Sequence, residues 1–474
     1  MRIAACSTLA VTMAWTMASG AEPTRIPATA LATAATLRDK AAEDTAAFDF
    51  LAGLTTEIGP RLAGSANDQR AREWTVARFK ALGFDKVWTE PVTFPKWVRR
   101  SESAEIIAPF PQRLAVTALG YSPATPKGGL RGEVVAFKDF KALQAADTAA
   151  VKDKIVYVAF RMHAARDGHE YGTATAGRTL GPALAAKLGA RAFVLRSAGS
   201  DSDRLPHTGV TRFDDKGPRI PAAALSNADA DLLERMLAAG KPVTLKLDLD
   251  CGIDGEYTSA NVIGELTGSE HPEQIVAIGG HLDSWDLGTG AIDDGAGVAI
   301  AAGAAHVVST LPQRPKRSIR VVAFANEEAG MLGGHAYGDA HRAEVAQHVL
   351  GAESDFGAGR IWRLNSQVKP DALGAIDQMM QVLAPLGVER GDNAGAEGGD
   401  FGAMGDAGMA LLGLTQDGTH YFDWHHTAND TLDKVDPKDL AQNVAVYAVF
   451  TYLAAEADGD FGSAPNAFER KKRH

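Results

Sequence analysis

Cysteine is almost absent from this chain, and its scarcity excludes a disulfide framework. Among 474 residues there are two cysteines, Cys6 and Cys251. Cys6 lies in an N-terminal segment that we expect to be removed, so Cys251 is left without an internal partner. A chain of this length buries a core large enough to fold without covalent links. We interpret Cys251 as a small buried residue rather than a nucleophile, since no His or Asn context marks it.

Positive charge and long apolar runs are also scarce. The formal net charge is −11, which argues against a nucleic-acid-binding protein that works through bulk positive charge. Only residues 470–474 form a basic run, and short basic ends are commonly solvated termini. Beyond the N-terminus we find no stretch long and apolar enough to span a bilayer. We therefore expect no nucleic-acid partner and, after signal removal, no membrane partner.

The N-terminus is typical of a secretory signal peptide. Arg2 supplies a positive start, residues 3–17 are mostly apolar, and the small residues 19–21 precede Glu22. We predict that residues 1–21 are a signal peptide and that the protein is exported, either to a periplasm or to the medium.

The remaining chain has an ordinary globular composition, with 45% hydrophobic and 23% charged residues. Its length suits two or three domains. From about residue 261 onward, predicted strands at 261–266, 274–279, 318–325, 348–354 and 409–414 alternate with predicted helices at 297–311, 371–386 and 437–455. This alternation predicts an α/β fold with a mostly parallel, doubly wound sheet. Residues 117–250 instead predict a smaller, compact α+β unit without a ligand cluster.

Histidines and acids follow several of these strands at their carboxyl ends. They are His281, Asp283, Asp293, Asp294, Glu327, Glu328, Asp355, His425 and His426. In open α/β sheets this edge is where ligands bind, and imidazole and carboxylate groups are ligands of zinc and related metals. Any one of these motifs alone also fits a capped turn or a polar loop. Together they favour a metal site.

A pair of divalent ions explains such a set of side chains. Two ions about 3.5–4 Å apart need a shared carboxylate, and each needs further nitrogen or oxygen ligands. Two histidines, one bridging aspartate and two terminal carboxylates would suffice. Another acid, not itself a ligand, must take a proton from the attacking water.

These motifs resemble those of the co-catalytic zinc exopeptidases, a family that includes bacterial secreted aminopeptidases and glutamate carboxypeptidases. The similar segments are residues 280–286, 290–295, 327–328, 353–355 and 425–426, together with 59–62 and 206–209. The resemblance implies the zinc exopeptidase fold. It also implies that residues 117–250 are a protease-associated domain, inserted between residues 22–116 and 251–474 of one peptidase domain. Two Zn²⁺ ions, a peptide substrate and a homodimer are implied in the same way.

The resemblance also implies a role for each side chain. His281 and Asp355 would hold one zinc ion, Glu328 and His426 would hold the other, and Asp293 would bridge them. Glu327 would be the general base and then the general acid, while Asp283 would orient His281.

Some of these assignments have close competitors. We choose His426 over His425 because it directly precedes residues 427–431, as the ligand of the family does. Asp294 competes with Asp293 for the bridging position. Asp400 either supports the site, meets a substrate amine or caps a helix. His207 either belongs to a lid or is an exposed loop residue.

The sequence thus predicts an exported zinc-dependent exopeptidase that acts on dipeptides or short peptides with free termini. The alternatives are an aminopeptidase that trims longer peptides, a glutaminyl cyclase of related fold, and a non-catalytic binding protein on a peptidase scaffold. All five ligands and the base are present, which weighs against the scaffold, because such relatives lose ligands.

Overall fold

The computed structural model describes residues 23–396 and 398–468. The predicted signal peptide, residues 1–21, and the basic run 470–474 lie outside the described residues. The helices are α1 (Ala28–Ala41), α2 (Ala46–Gly53), α3 (Ala66–Ala81), α4 (Phe140–Gln144), α5 (Thr148–Val151), α6 (Tyr171–Lys187), α7 (Asn227–Ala238), α8 (Ala296–Ser309), α9 (Leu332–His341), α10 (Leu373–Leu383), α11 (Gly402–Ala407), α12 (Tyr421–Trp424) and α13 (Pro437–Glu456).

The strands account for most of the remaining regular structure. They are β1 (Lys86–Ala108), β2 (Gln112–Leu114), β3 (Val116–Ala118), β4 (Leu130–Phe137), β5 (Ile155–Val158), β6 (Ala192–Arg196), β7 (Ala222–Leu225), β8 (Thr244–Leu266), β9 (His271–His281), β10 (Arg317–Phe324), β11 (His348–Glu353), β12 (Ile361–Gln367), β13 (Glu389–Arg390) and β14 (Leu411–Gln416).

These strands form one continuous sheet within the described residues. Its order is β13-β12-β14-β11-β9-β10-β8-β4-β5-β6-β7-β3, and β1 pairs with β8 and β2. The centre is parallel, because β9 runs parallel to both β10 and β11, and β11 runs parallel to β14. The predicted α/β fold with a mostly parallel, doubly wound sheet is confirmed. The sequence did not predict β12, which runs antiparallel to β14.

Alternate residues of β9 face two different cores. Val276 and Ile278 belong to the apolar cluster that includes helices α1, α2, α8 and α13. Ile275 and Ala277 belong to the cluster on the opposite face, with residues of α9 and α11. A strand covered on both faces needs an unbroken apolar run, and this explains the apolar residues 275–278 of β9 and 321–324 of β10.

β1 and β8 are unusually long strands. Each has 23 residues, and they pair antiparallel from Lys86 opposite Glu265 to Ala108 opposite Thr244. The strand predicted at residues 261–266 is the last part of β8. β8 also joins the two parts of the sheet, because its first residues pair with β4 and its last residues pair with β10. The expected boundary near residue 250 falls inside this strand.

One apolar stretch contradicts the expectation that no segment beyond the N-terminus is long and apolar enough to span a bilayer. Residues Ala291–Ser309 are long and apolar enough to cross a membrane, with a mean hydropathy of 1.3, but 94% of that window is buried inside the protein. Helix α8 makes up most of this stretch, and it packs against α13 and β9. Its buried surroundings therefore identify it as a core helix.

Cys251 is also buried, on β8, and burial raises the pKa of its thiol to about 11.

Candidate metal centre

One carboxylate, that of Asp293, lies between two histidines at the carboxyl edge of the sheet. Its Oδ1 is 3.1 Å from Nε2 of His281, and its Oδ2 is 3.1 Å from Nε2 of His426. Asp293 is carried by the short turn Ala291–Gly295, directly before helix α8. The two oxygens of one side chain therefore face two separate imidazoles, as a bridging ligand requires.

The first histidine belongs to β9, whose last residue is His281. Its Nε2 is also 3.5 Å from Oδ1 of Asp355, which follows β11, the parallel neighbour of β9. Its Nδ1 is 3.0 Å from the main-chain carbonyl oxygen of Asp283. Because a carbonyl only accepts hydrogen bonds, Nδ1 carries a hydrogen, and Nε2 is the nitrogen left to bind a cation placed between it and the two carboxylates.

The second histidine has the same arrangement on the other side of Asp293. Nε2 of His426 is 2.9 Å from Oε2 of Glu328, which follows β10. Its Nδ1 is 3.1 Å from the carbonyl oxygen of Thr208. Here too the Nδ1 hydrogen is directed at a carbonyl, and Nε2 is the nitrogen left to bind a cation placed between it and the carboxylates.

His425 and His426 stack on one another, with ring centroids 3.5 Å apart. Nε2 of His425 is 3.4 Å from Oδ2 of Asp293 and 3.4 Å from the hydroxyl of Tyr171. His426 is the member of the pair that contacts Glu328, in agreement with the choice made from the sequence. Asp293, His425 and His426 nevertheless form a group that could hold an ion, so His425 stays a competing ligand.

Asp294 has a supporting position rather than the bridging one. Its Oδ2 accepts a hydrogen bond from the main-chain N–H of His281 at 3.0 Å, and its Oδ1 accepts one from Gly297 at 3.0 Å. A Cβ at Gly297 would overlap the carbonyl oxygen of Ser354 and the Asp294 carboxylate. This close approach brings helix α8, strand β9 and the chain after β11 together behind the site.

Two buried charged residues, to which the sequence analysis assigned no role, hold the metal-site loops. Arg61, 0% exposed, donates hydrogen bonds to four main-chain carbonyls, those of Gly59, Leu282, Thr289 and Gly290. Oδ1 of Asp430 accepts from the N–H groups of Ala291 and Ile292 at 2.6 and 2.7 Å. Arg61 lies in the segment 59–62 that carried the family resemblance, and Asp430 lies in residues 427–431, which decided the choice of His426. Their partners are main-chain atoms, which leave no pattern in a sequence.

Glu327 and Asp283 lie beside the five candidate ligands. Oδ1 of Asp283 accepts a hydrogen bond from the main-chain N–H of Glu327 at 3.0 Å. The carboxylate of Asp283 is 3.7 Å from Nδ1 of His281, farther than the carbonyl of the same residue. The orientation of His281 predicted for the Asp283 side chain therefore falls mainly to its main chain.

Asp400 supports the site from behind. Its Oδ1 accepts from the N–H of Gly334, in the first turn of α9, at 2.8 Å. Its own N–H donates to Oε2 of Glu353 at 2.5 Å. Asp400 thus binds the start of a neighbouring helix.

His207 is buried, so it is not the exposed loop residue that was one of its two predicted alternatives.

The site concentrates acids that burial holds away from water. Burial raises the pKa of Asp283 to about 7 and that of Asp400 to about 8. Burial and neighbouring carboxylates also raise the pKa of Glu327 and Glu353 well above the usual range. Carboxylates packed this closely cannot all ionise without added positive charge.

Divalent cations fit this donor set. Oδ2 of Asp293, Oε1 of Glu328 and Oδ2 of Asp283 are buried without a hydrogen-bond partner among the described residues. Buried polar atoms are otherwise almost always satisfied, so such orphans indicate a missing partner such as an ion. His281, Asp293 and Asp355 form a second group that could hold a metal. The structure therefore brings together all five side chains predicted as ligands.

Comparison with known proteins agrees with this geometry. The model of Peptidase family M28 matches residues 261–451. Carboxypeptidase Q from Homo sapiens is 34% identical over 411 residues, which cover 87% of this chain and 85% of that protein. Carboxypeptidase Q from Xenopus laevis is 33% identical over 411 residues, covering 87% of this chain and 86% of that protein.

Solved structures give the same result. The crystal structure of a Peptidase M28 precursor from Shewanella amazonensis SB2B has a TM-score of 0.90 and 46% sequence identity, covering 92% of this chain and 99% of that one. BSAP, a zinc aminopeptidase from Bacillus subtilis, shares the fold, with a TM-score of 0.61 and 20% identity, covering 86% of this chain and 94% of that one. The resemblance drawn from the motifs is confirmed. With carboxypeptidase Q as a relative along most of its length, this chain belongs to peptidase family M28.

Proposed function

We propose that this protein is an exported, two-zinc exopeptidase that hydrolyses dipeptides or short peptides with free termini. The observation that carries the proposal is the Asp293 carboxylate, placed between two histidines that each face a further carboxylate. The relatives that match most of the chain are carboxypeptidases Q, and BSAP is a zinc aminopeptidase. As part of the proposal, residues 117–250 are an inserted protease-associated domain and the protein is a homodimer.

The proposed ligands follow the two histidine–carboxylate pairs. His281 and Asp355 would hold one zinc ion, His426 and Glu328 would hold the other, and Asp293 would contact both. Bound zinc polarises a carbonyl and lowers the pKa of water, so that a nucleophile is available near neutral pH.

Glu327 is the proposed proton carrier of the reaction. It is adjacent to the ligand Glu328, and its main chain is fixed by the hydrogen bond to Asp283. Its carboxylate would accept a proton from the attacking water and then deliver it to the amine that leaves when the peptide bond breaks. Asp283 positions both this base and, through its carbonyl, His281.

Apolar and aromatic residues lie beside the proposed catalytic groups. They line a small recess next to Glu328 and Asp283, and include Leu62, Trp97 and Trp285. Walls of this kind favour an apolar or aromatic side chain in the bound peptide.

The proposal is tested by hydrolysis assays on the purified protein. The substrates are unblocked dipeptides, longer peptides and N-blocked peptides, each assayed directly, after chelator treatment and after zinc re-addition. We expect dipeptide cleavage that the chelator abolishes and zinc restores. Cleavage confined to longer peptides with a free amino terminus would instead identify an aminopeptidase. Cyclisation of an N-terminal glutamine would identify a glutaminyl cyclase. Zinc content near zero together with no turnover would leave a binding scaffold.

A further inference from the structure

The proposed ligand His426 is clamped by a loop from the inserted segment. This loop, residues 206–209, lies behind the two histidines. The main-chain N–H of Thr208 donates to the carbonyl oxygen of His426 at 3.0 Å, and Nδ1 of His426 lies 3.1 Å from the carbonyl oxygen of Thr208. Nδ1 of His207 is 2.7 Å from the carbonyl oxygen of His425. The loop thus contacts both histidines through main chain and side chain together.

His207 is itself held firmly. It is 1% exposed, its Nε2 is 2.6 Å from Oδ2 of Asp201, and its main-chain N–H donates to Oγ of Ser197 at 2.8 Å. Gly199 lies against the imidazole, and a Cβ there would overlap the ring. Because the carbonyl of His425 only accepts, Nδ1 of His207 must carry a hydrogen. The ring is therefore a fixed donor to the backbone of the His425–His426 pair.

The backbone of His426 needs such support. Its φ is +62°, in the left-handed region, which is unfavourable for a residue other than glycine and persists only where the surroundings hold it. The reciprocal bonds with Thr208 fix this conformation and keep Nε2 beside Asp293 and Glu328. Arg178 reinforces the arrangement, because its Nη1 donates to the same Thr208 carbonyl at 3.3 Å.

We propose that His207 is a positioning residue through which the inserted segment sets the metal affinity of the His426 half of the site. The inference rests on the proposed two-metal centre. Partners that orient a metal-bound histidine contribute about 10- to 100-fold to metal affinity. His207 orients His426 through the neighbouring carbonyl of His425, so its loss should loosen one ion and leave the ion at His281 in place.

The experiment measures zinc binding rather than turnover. Two zinc dissociation constants are determined by titrating the apo-protein in competition with a chromogenic chelator. The variants are His207→Ala and His207→Asn, whose amide N–H₂ can occupy the place of Nδ1. His281→Ala identifies the constant that belongs to the other ion. Met236→Ala is the matched control, since Met236 is buried in the inserted segment's core and its truncation lowers stability without a change in the loop 206–209.

We expect His207→Ala to weaken one ion about 10- to 100-fold while the constant identified by His281→Ala changes less than about twofold. His207→Asn should recover most of the loss, and Met236→Ala should bind both ions as wild type does. Two results would overturn the positioning role and leave the proposed function standing. One is unchanged zinc binding in His207→Ala. The other is weaker binding of both ions, to the same extent in His207→Ala as in Met236→Ala. Absence of zinc binding in the wild type would overturn the proposed function and this inference with it.

Discussion

His281 and His426 of the candidate site are oriented by main-chain carbonyls, those of Asp283 and Thr208. The residue types His, Asp and Glu at strand ends were enough to predict which side chains meet. The tautomers were not predictable, because they depend on the carbonyls of Asp283 and Thr208, and main-chain atoms are the same at every position of a sequence. For the same reason the sequence left Asp294 in competition with Asp293 until their hydrogen bonds were known.

Replacement of the proposed base separates chemistry from metal binding. In Glu327→Gln we expect turnover of dipeptides to fall by about 10²- to 10⁴-fold, because the amide cannot accept the proton. Zinc content should stay near that of the wild type, since Glu327 is not one of the five proposed ligands. The measurements are kcat and metal analysis on the same preparation. A variant that keeps substantial activity would show that another group is the base.

A buried neutral histidine far from the chemistry gives the protein a pH-dependent stability. Burial, the first cause, together with the charges of Arg320 and His341, lowers the pKa of His348 to about 4. Its Nε2 lies 2.8 Å from the hydroxyl of Tyr337 and its Nδ1 lies 3.1 Å from the carbonyl of Glu344, contacts that suit the neutral ring.

The sign of this dependence follows from which state binds the proton first. An unfolded His348 takes up a proton near pH 6.5 and the folded one near pH 4, so folding stability is lost as the pH falls between these values. The loss attributable to this residue is about 3 kcal/mol. We expect the difference in unfolding free energy between wild type and His348→Gln to shrink over this range. The exposed variant His271→Gln should leave the wild-type profile unchanged, and equal profiles for all three proteins would contradict the explanation.

At the scale of elements, the unit that builds the site is strand β9, the loop after it and helix α8. The sequence predicted this unit well, because an apolar run, a glycine-rich loop and an Ala/Val-rich helix follow one another. It did not predict how closely the pieces approach. The contacts of Gly297 and the four carbonyls bound by Arg61 are properties of packing between segments that are distant in sequence.

Two glycine-to-alanine substitutions in helices test this close approach. Gly297→Ala places a methyl group into the carbonyl of Ser354, which as backbone cannot give way, and we expect a loss of about 1–3 kcal/mol or more in unfolding free energy together with weaker metal binding. Gly172→Ala in α6 has no atom within 4 Å of the new methyl group, and we expect a gain of about 0.5–1 kcal/mol. Chemical denaturation of both variants gives the comparison. Equal changes in unfolding free energy in the two variants, or a larger loss in Gly172→Ala than in Gly297→Ala, would disprove the packing argument.

Removal of the Arg61 guanidinium tests what holds the loops in place. Arg61→Met leaves up to four buried carbonyls without their donor, and each such loss costs about 1–3 kcal/mol. We expect a clear fall in melting temperature and reduced zinc content, while Arg70→Met, on the exposed face of α3, should change neither. A stable Arg61→Met protein with full zinc content would show that the loops do not need this residue.

At the scale of the whole molecule, residues 117–250, the proposed insertion, and the rest of the chain are joined by more than covalent linkage. β8 pairs with β4 at one end and with β10 at the other, and the loop 206–209 contacts the histidine pair. The sequence indicated two compositional regions and placed a boundary near residue 250. It could not show that one strand continues through that boundary, because a strand's length depends on the partner that it meets.

This continuity predicts a single cooperative unfolding transition. If the two parts share β8, the inserted segment cannot melt while the peptidase part stays intact, and calorimetry of the apo-protein should show one transition. Limited proteolysis should give no stable fragment lacking residues 117–250. A separate, earlier calorimetric transition with protease cleavage confined to those residues would show that the two parts are independent.

The long pairing of β1 with β8 also dictates an order of events during synthesis. Apart from its short pairing with β2, β1 meets a partner strand that lies more than a hundred positions later in the chain, so most of its length has no strand partner until residues 244–265 are available. Contacts this distant in sequence form slowly and leave a strand edge open to other chains in the meantime. A nascent chain would therefore need to be kept apart from other unfolded copies of the protein until β8 has been synthesised. Truncation before residue 244 should yield aggregates rather than a smaller folded protein.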